Sequence, residues 1–198
     1  VVAAPVFPLA NANSPGGPQE SDLVNQPHDM SAVISTLLAA ASAGRSVFAG
    51  MIDPQRIAVA GQSDGGDTAL ATAFDPAVRD SRVKAAVILS GAEDPFAPAF
   101  AFDPTGTALL ATQGTADTVN PPSMTDAFYS AARSPKFLLE LLGASHQPPY
   151  TQPGPQLRTV ERVTIAFFDT YLKHDAPAKR HLLSSRIAGR NAVLRASP

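Results

Sequence analysis

The sequence predicts an α/β fold with a mostly parallel sheet of about five strands flanked by helices. Short, nearly continuous apolar runs closed by glycine or proline are typical of strands that are buried on both faces. Between these runs lie longer stretches whose apolar residues recur at helical spacing. Strands that alternate with helices favour a parallel sheet, in which ligands bind at the carboxyl ends of the strands. The 198 residues are predicted to form one domain over 1–198.

Five apolar runs are the predicted strands: VVAAPV (1–6), RIAVAG (56–61), KAAVILSG (84–91), TALLATQG (107–114) and KFLLELLG (136–143). The last run could be a helical turn by periodicity alone, but the proline before it and the glycine after it favour a strand.

Four longer stretches are predicted to be helices, over residues 28–43, 64–74, 123–132 and 156–174. Ser123 begins the third, and Asp126 three residues later makes this start similar to a capping box. Residues 176–198 form a basic C-terminal tail. This tail is predicted to be a solvated amphipathic helix or a docking segment, and not a nucleic-acid site.

Composition narrows the kinds of site that this chain can hold. It has no cysteine, which excludes disulfides, thiolate metal sites and a cysteine nucleophile. A net charge of −2 and a pI of about 6.1 give no sign of a nucleic-acid partner. No apolar run approaches the roughly 18 residues that a membrane span needs. We expect neither a metal ion nor a cofactor, and composition does not indicate an oligomeric state.

The segment GQSDGG lies between a predicted strand and a predicted helix and matches the pattern Gly-x-Ser-x-Gly. In that pattern the serine, here Ser63, occupies a tight turn that exposes its hydroxyl above the sheet. The following amide N–H, that of Asp64, could stabilise an oxyanion at the helix N-terminus. The alternative is a glycine-rich turn with an N-capping serine. Dinucleotide and phosphate loops fit less well, because the glycine spacing differs and no lysine follows.

A serine nucleophile needs a base, and His146 is the candidate because it follows the last predicted strand. Asp117, in the loop after the preceding strand, is the candidate acid that would orient this histidine. The chain order is then Ser, Asp, His, which is the order of one class of triad. The remaining histidines are predicted to be at the surface: His28, His174 and His181.

Other carboxylates are alternatives for the acid or have simpler roles. The acids after the predicted strand 84–91 are alternatives to Asp117: Glu93, Asp94 and Asp103. Asp126 is expected at a helix start. Asp64 and Asp67 are interpreted as first-turn carboxylates that the helix dipole favours.

The segments GQSDGG, GTADTVNPP and GASHQPP together resemble the α/β-hydrolase family over nearly the whole chain. More narrowly, VVAAPVFPL, NSPGG and VNQPHDMSAVI followed by GQSDGG resemble a bacterial group of dienelactone-hydrolase-like, chlorophyllase-like and polyester-hydrolase-like serine hydrolases. Dienelactone hydrolases themselves use a cysteine, which this chain lacks. The resemblance implies a metal-independent serine esterase that forms an acyl-enzyme with a small-molecule or polymeric ester. It also implies a secreted or cell-envelope location.

Members of that family carry several strands before the point where this sequence begins, and a loop after one of them supplies a second oxyanion-hole N–H. The resemblance therefore implies either a fragment or a shortened version of the fold, with an exposed sheet edge. NSPGGPQE is an alternative source of the missing amide.

Four further side chains are candidates for the substrate pocket. Phe96, Phe100 and Phe102 could line an acyl or alcohol pocket, or could only pack their loop onto the core. Gln62 could shape the pocket behind the serine. Two other functions remain open at this stage: a non-catalytic binding or scaffold domain, and an amidase or peptidase that uses the same residues.

Overall fold

A computed structural model describes residues 1–98, 100, 102 and 106–198 of the chain. Its sheet has five strands in the order β1-β2-β3-β4-β5. The strands are β1 Ile57–Gln62, β2 Val83–Leu89, β3 Ala108–Gly114, β4 Lys136–Leu141 and β5 Ala192–Ser197. The helices are α1 Gln26–Ser42, α2 Asp64–Phe74, α3 Pro122–Ala131, α4 Pro148–Thr151, α5 Pro155–Leu172 and α6 Ala176–Leu182, with a 3-10 helix over Glu20–Val24.

Strands β1 to β4 are parallel to one another, and β5 pairs antiparallel with β4. This arrangement confirms the predicted α/β fold with a mostly parallel sheet. Because neighbouring parallel strands end at the same edge, the segments that follow β1, β2, β3 and β4 meet there. All the candidate catalytic residues lie in these segments.

The sheet is covered on both faces, as the continuous apolar runs predict. Alternate residues of one strand point to opposite sides. Leu109 and Ala111 pack on the side of α1, α2 and α3, whereas Leu110 packs on the side of α5 and α6. Each of these three side chains is fully buried. Burying a side chain the size of leucine contributes about 1.5–3 kcal/mol to the free energy of folding, so the two core layers stabilise the sheet from both faces.

The prediction of a strand at residues 1–6 is wrong, because these residues have no regular secondary structure. Pro5 and Pro8 lack the backbone N–H that a ladder needs, and the valine side chains of this segment are exposed. Within the described residues β1 pairs only with β2, so it is an edge strand of this sheet.

The C-terminal residues belong to the folded core and do not form a solvated tail. Leu182 of α6 and Ile187 beyond it have exposed fractions of 0% and 1% and pack against β-strand residues. β5 then adds to the sheet, and Arg195 Nε lies 3.1 Å from Glu140 Oε2 on β4. The basic residues of this segment suggest an exposed tail, and the sequence pattern therefore gives no clear sign of β5.

The helix starts use proline more than side-chain caps. α3 begins at Pro122, so Ser123 lies inside the helix and the predicted capping box is absent. Proline is suited to the first helical position because its missing N–H would have no partner there. Among the helices of the described residues, none is both long enough and apolar enough to cross a lipid bilayer.

Candidate active site

Ser63 occupies the corner between β1 and α2 with a positive φ of 56° and a ψ of −129°. Such a φ is uncommon for a residue other than glycine and is costly unless the surroundings enforce it. Here the backbone is fixed from both sides. The Ser63 N–H donates to Leu89 O at 3.0 Å, and the Ser63 carbonyl accepts from the N–H groups of Gly66 and Asp67.

Two glycines make this sharp corner possible. A Cβ on Gly61 would lie 1.8 Å from the carbonyl oxygen of Gly65, which no real contact allows. A Cβ on Gly66 would lie 3.0 Å from Cα of Gly91, in the segment after β2. The backbones of β1, α2 and the end of β2 therefore approach one another too closely for side chains at these positions.

Ser63, His146 and Asp117 form one hydrogen-bonded chain across the sheet edge. The Ser63 hydroxyl donates to His146 Nε2 at 2.9 Å, and His146 Nδ1–H donates to Asp117 Oδ2 at 2.8 Å. The His146 side chain is 12% exposed and that of Asp117 is fully buried. The geometry leaves the Nε2 lone pair of the imidazole pointing at the serine hydroxyl.

Asp117 is held as a carboxylate by its surroundings. Burial would raise its pKa, but hydrogen bonds from His146 and from the backbone N–H groups of Asn120 and Val119 outweigh burial and hold the pKa below its usual range. The two backbone bonds measure 3.0 Å and 2.9 Å to Oδ1. One oxygen therefore fixes the loop and the other faces the histidine.

The amide of Asp64 opens α2 directly after Ser63, and among the described residues it has no hydrogen-bond acceptor. The first N–H groups of a helix have no partner within the helix and favour a negative charge nearby. This N–H is consequently available to an anionic oxygen that forms at a group bonded to Ser63.

The sequence matches the model of a protein family described as PETase: PET hydrolase-like over residues 21–192. The chain belongs to this PET hydrolase-like family. The family consists of hydrolases that act on esters, with an α/β-hydrolase fold, and the resemblance that the motifs indicate is confirmed. No individual curated protein matches the sequence significantly.

Asp67 of this PET hydrolase-like chain is buried, and burial raises its pKa to about 7. Its Oδ1 accepts the N–H of Ala92 at 2.6 Å, which lowers the pKa, whereas the neighbouring carboxylates raise it. Asp67 lies in the first turn of α2, as the sequence predicts, but burial opposes its ionisation there. The dipole contributes about 0.3–1 kcal/mol, less than the cost of removing a carboxylate from water.

The other carboxylates and histidines lie apart from the hydrogen-bonded chain. Asp94 accepts from the backbone N–H of Phe96, and Asp126 pairs with Arg195 at 3.2 Å. Burial and the charge of Asp75 raise the pKa of Glu93. Asp103 lies outside the described residues. The remaining histidines are exposed, as the sequence predicts: His28, His174 and His181.

The candidate pocket residues divide into two groups. Gln62 contacts the histidine: its side-chain nitrogen lies 3.3 Å from His146 Nε2 and 3.4 Å from the His146 carbonyl oxygen. The rings of Phe100 and Phe102 are in tilted contact with centroids 5.2 Å apart, and both pack against the buried core. Phe96 is 48% exposed. Contact of these residues with a substrate stays a prediction.

Sequence reasoning missed Ser90, the last residue before the turn that follows β2. It has a positive φ of 47° and is fully buried. No glycine pattern marks it, because only Gly91 follows and no helix begins there. Within the described residues, no group of three or more histidines and carboxylates is arranged to hold a metal ion.

Proposed function

We propose that this chain is a serine hydrolase that cleaves carboxylic esters with Ser63 as nucleophile, His146 as base and Asp117 as the orienting acid. The observation that carries the proposal is the hydrogen-bonded chain from Asp117 through His146 to a serine on a strained corner. A serine hydroxyl is a weak nucleophile unless a base takes its proton, and His146 Nε2 lies where that transfer can occur.

In the first half-reaction, Ser63 Oγ attacks the ester carbonyl carbon while its proton passes to His146 Nε2. The carbonyl oxygen becomes an oxyanion, to which the N–H of Asp64 donates. The bond between the carbonyl carbon and the leaving oxygen then breaks. The proton on Nε2 passes to the leaving alkoxide, so that an alcohol departs and an acyl group remains on Ser63.

In the second half-reaction, His146 removes a proton from water, whose oxygen attacks the acyl carbon. Collapse of this intermediate breaks the bond to Ser63 Oγ and returns the proton to it, releasing a carboxylic acid. Asp117 remains ionised throughout and stabilises the imidazolium that forms twice in each cycle. The bonds that hold its pKa low support this role.

The substrate that we infer is a polymeric or small-molecule ester. The family description names PET hydrolases, which act on a polyester. Ser63 and His146 are half-buried, so the proposed nucleophile keeps partial access to solvent. Phe96, exposed in the segment after β2, offers an apolar contact for the acyl or alcohol part of the ester.

Replacing the nucleophile tests the proposal. We expect Ser63→Ala to lower turnover of a short p-nitrophenyl ester by about 10⁴-fold or more, with its unfolding temperature maintained. Ser42→Ala, on the exposed end of α1, is the matched control and should leave turnover unchanged.

A fluorophosphonate probe distinguishes an enzyme from a scaffold. It should label the wild-type chain at Ser63 and fail to label Ser63→Ala. A folded wild-type chain that neither reacts with the probe nor turns over the ester would overturn the proposal in favour of a non-catalytic binding domain.

A further inference from the structure

Tyr150 makes a set of buried hydrogen bonds that the proposed reaction does not use. Its hydroxyl lies 2.8 Å from Ser90 Oγ and accepts from Thr112 Oγ1 at 3.1 Å. The side chains of Ser90 and Thr112 are fully buried. A polar group in such surroundings is costly unless it is paired, so these three hydroxyls fix one another in place.

The same serine is bound to the loop of the candidate acid. Asn120 Nδ2 donates to the carbonyl of Ser90 at 2.7 Å, while the backbone N–H of Asn120 donates to Asp117 Oδ1 at 3.0 Å. The Ser90 N–H donates to Thr112 O at 2.8 Å. We call the four residues Ser90, Thr112, Asn120 and Tyr150 the Ser90 junction.

The segment that contains Ser90 is also bound to the nucleophile's elements. Leu89 O accepts the N–H of Ser63 at 3.0 Å, and the N–H of Ala92 donates to Asp67 on α2 at 2.6 Å. The end of β2 is therefore hydrogen-bonded to the corner of Ser63 and to the loop of Asp117. The chain before His146 is held by the Ala116 N–H, which donates to Ala144 O at 2.9 Å, and the Gln62 side-chain nitrogen lies 3.4 Å from the His146 carbonyl oxygen.

Tyr150 adds a further anchor, on the chain that follows His146, to the end of β2. It lies four residues after His146, and Pro148 and Pro149 occupy the path between them. Each proline fixes its own φ near −65°, so this short connection is stiff. Anchoring the phenol at Ser90 therefore limits where the imidazole can lie relative to Asp117 and Ser63.

We propose that Tyr150 is a positioning residue that, through the Ser90 junction, holds His146 at the distances from Asp117 and Ser63 that proton transfer needs. This inference rests on the proposed function. Proton transfer depends steeply on geometry, and a misplacement of about 1 Å can cost about 10²-fold in rate. Tyr150 itself need not contact the substrate.

The test compares Tyr150→Phe with Tyr171→Phe on a short p-nitrophenyl ester. We expect Tyr150→Phe to lower kcat by about 5- to 50-fold with KM within about twofold, because the chemistry and not the binding is affected. Tyr171, whose ring packs against Phe137 and Phe167 in the core, is the control. Its loss of a hydroxyl should change kcat by less than about twofold.

A double variant separates positioning from simple loss of packing. Ser90→Ala removes the other side of the 2.8 Å contact, so Ser90→Ala combined with Tyr150→Phe should lose little more kcat than Tyr150→Phe alone. If Tyr150→Phe does not fold, Thr112→Val keeps the shape, removes one donor and should lower kcat by about two- to threefold.

Three results would overturn the inference. They are an unchanged kcat in folded Tyr150→Phe, a rise in KM alone, or losses that multiply in the double variant. Failure of the proposed function gives a different result, because the wild-type chain and Ser63→Ala would then have equal turnover.

Discussion

Two serines, Ser63 and Ser90, end neighbouring parallel strands with the same unusual backbone. Their φ angles are 56° and 47°. The N–H of each donates to a carbonyl in the C-terminal half of the next strand, Leu89 O for Ser63 and Thr112 O for Ser90. They differ in what surrounds the hydroxyl: Ser63 is half-exposed and faces His146, whereas Ser90 is fully buried and faces Tyr150.

The comparison separates two uses of a strained corner. At Ser63, Gly61 and Gly65 allow α2 to begin at the next residue, and the serine hydroxyl stays half-exposed. At Ser90 the chain turns without a helix, and every polar atom of the serine has a protein partner. We infer that the first corner presents the nucleophile and that the second aligns the groups around it.

The largest effect is expected at Asp117, which is joined to both corners. Asp117→Asn should lower kcat for a p-nitrophenyl ester by about 10⁴-fold, because the amide favours the wrong imidazole tautomer. Steady-state kinetics measure the loss. Asp126→Asn, at an exposed ion pair with Arg195, is the control, and equal effects of the two variants would remove Asp117 from the proposed mechanism.

Next in size is the glycine requirement at the Ser63 corner. Gly61→Ala should lower the free energy of unfolding by about 3 kcal/mol or more, since its Cβ meets backbone 1.8 Å away that cannot move independently. Gly65→Ala has nothing within 4 Å of its Cβ and should be neutral or slightly stabilising. Urea unfolding of both variants measures the difference, and similar stabilities would show that the corner is not closely packed.

The burial of Asp67, whose Oδ1 accepts the Ala92 N–H between the two corners, should make stability depend on pH. With a pKa of about 7 in the folded chain and about 3.9 when unfolded, Asp67 takes up a proton on folding between these values. The contribution of Asp67 to stability is therefore present at low pH and is lost as pH rises through about 7. From pH 5 to 8 the wild-type chain should lose about 2–3 kcal/mol more stability than Asp67→Asn.

Urea unfolding of the wild-type chain and Asp67→Asn at several pH values between 5 and 8 measures that difference. Asparagine keeps a carbonyl oxygen for the Ala92 N–H, so the bond to the second corner is maintained while the titration is removed. Parallel stability curves for the two chains would contradict the raised pKa.

The smallest predicted effect distinguishes the two serines directly. Glycine relieves about 1–2 kcal/mol of left-handed strain at either position. Ser63→Gly loses only a half-exposed hydrogen bond, so its stability should stay near that of the wild type. Ser90→Gly removes one of the two buried side chains that bind the Tyr150 hydroxyl and should be about 1 kcal/mol less stable than Ser63→Gly. Equal free energies of unfolding for Ser63→Gly and Ser90→Gly would contradict the different roles of the two hydroxyls.

Much of the fold follows from local sequence. The strands β1 to β4 are mostly apolar and end at glycine or at a turn, so their positions can be predicted to within two residues at most boundaries. Residues 1–6 share the apolar composition but contain Pro5, which lacks the N–H that a strand ladder needs, and they form no strand. β5 was missed because its strand character depends on pairing with β4, a contact that no local pattern reveals.

The candidate site divides in the same way. Ser63, Asp117 and His146 could be predicted because each follows a predicted strand, and the structure brings their side chains within hydrogen-bond distance. Their catalytic roles stay predictions until the variants are assayed. The burial of Asp67 and the hydrogen bonds of Ser90 depend on how the segments after β2, β3 and β4 pack together. An aspartate or a serine in the sequence does not reveal such packing.

The strand order also bears on how the chain folds. Because β1 to β4 lie in the order in which they occur in the sequence, each strand can add to the one before it after closing a single short connection. The entropy of closing a loop grows slowly with its length, and local contacts speed folding. Only β5 must return across α5 and α6 to reach β4. We expect this return to be the late event in folding, after the edge that carries Ser63 and Ser90 has formed.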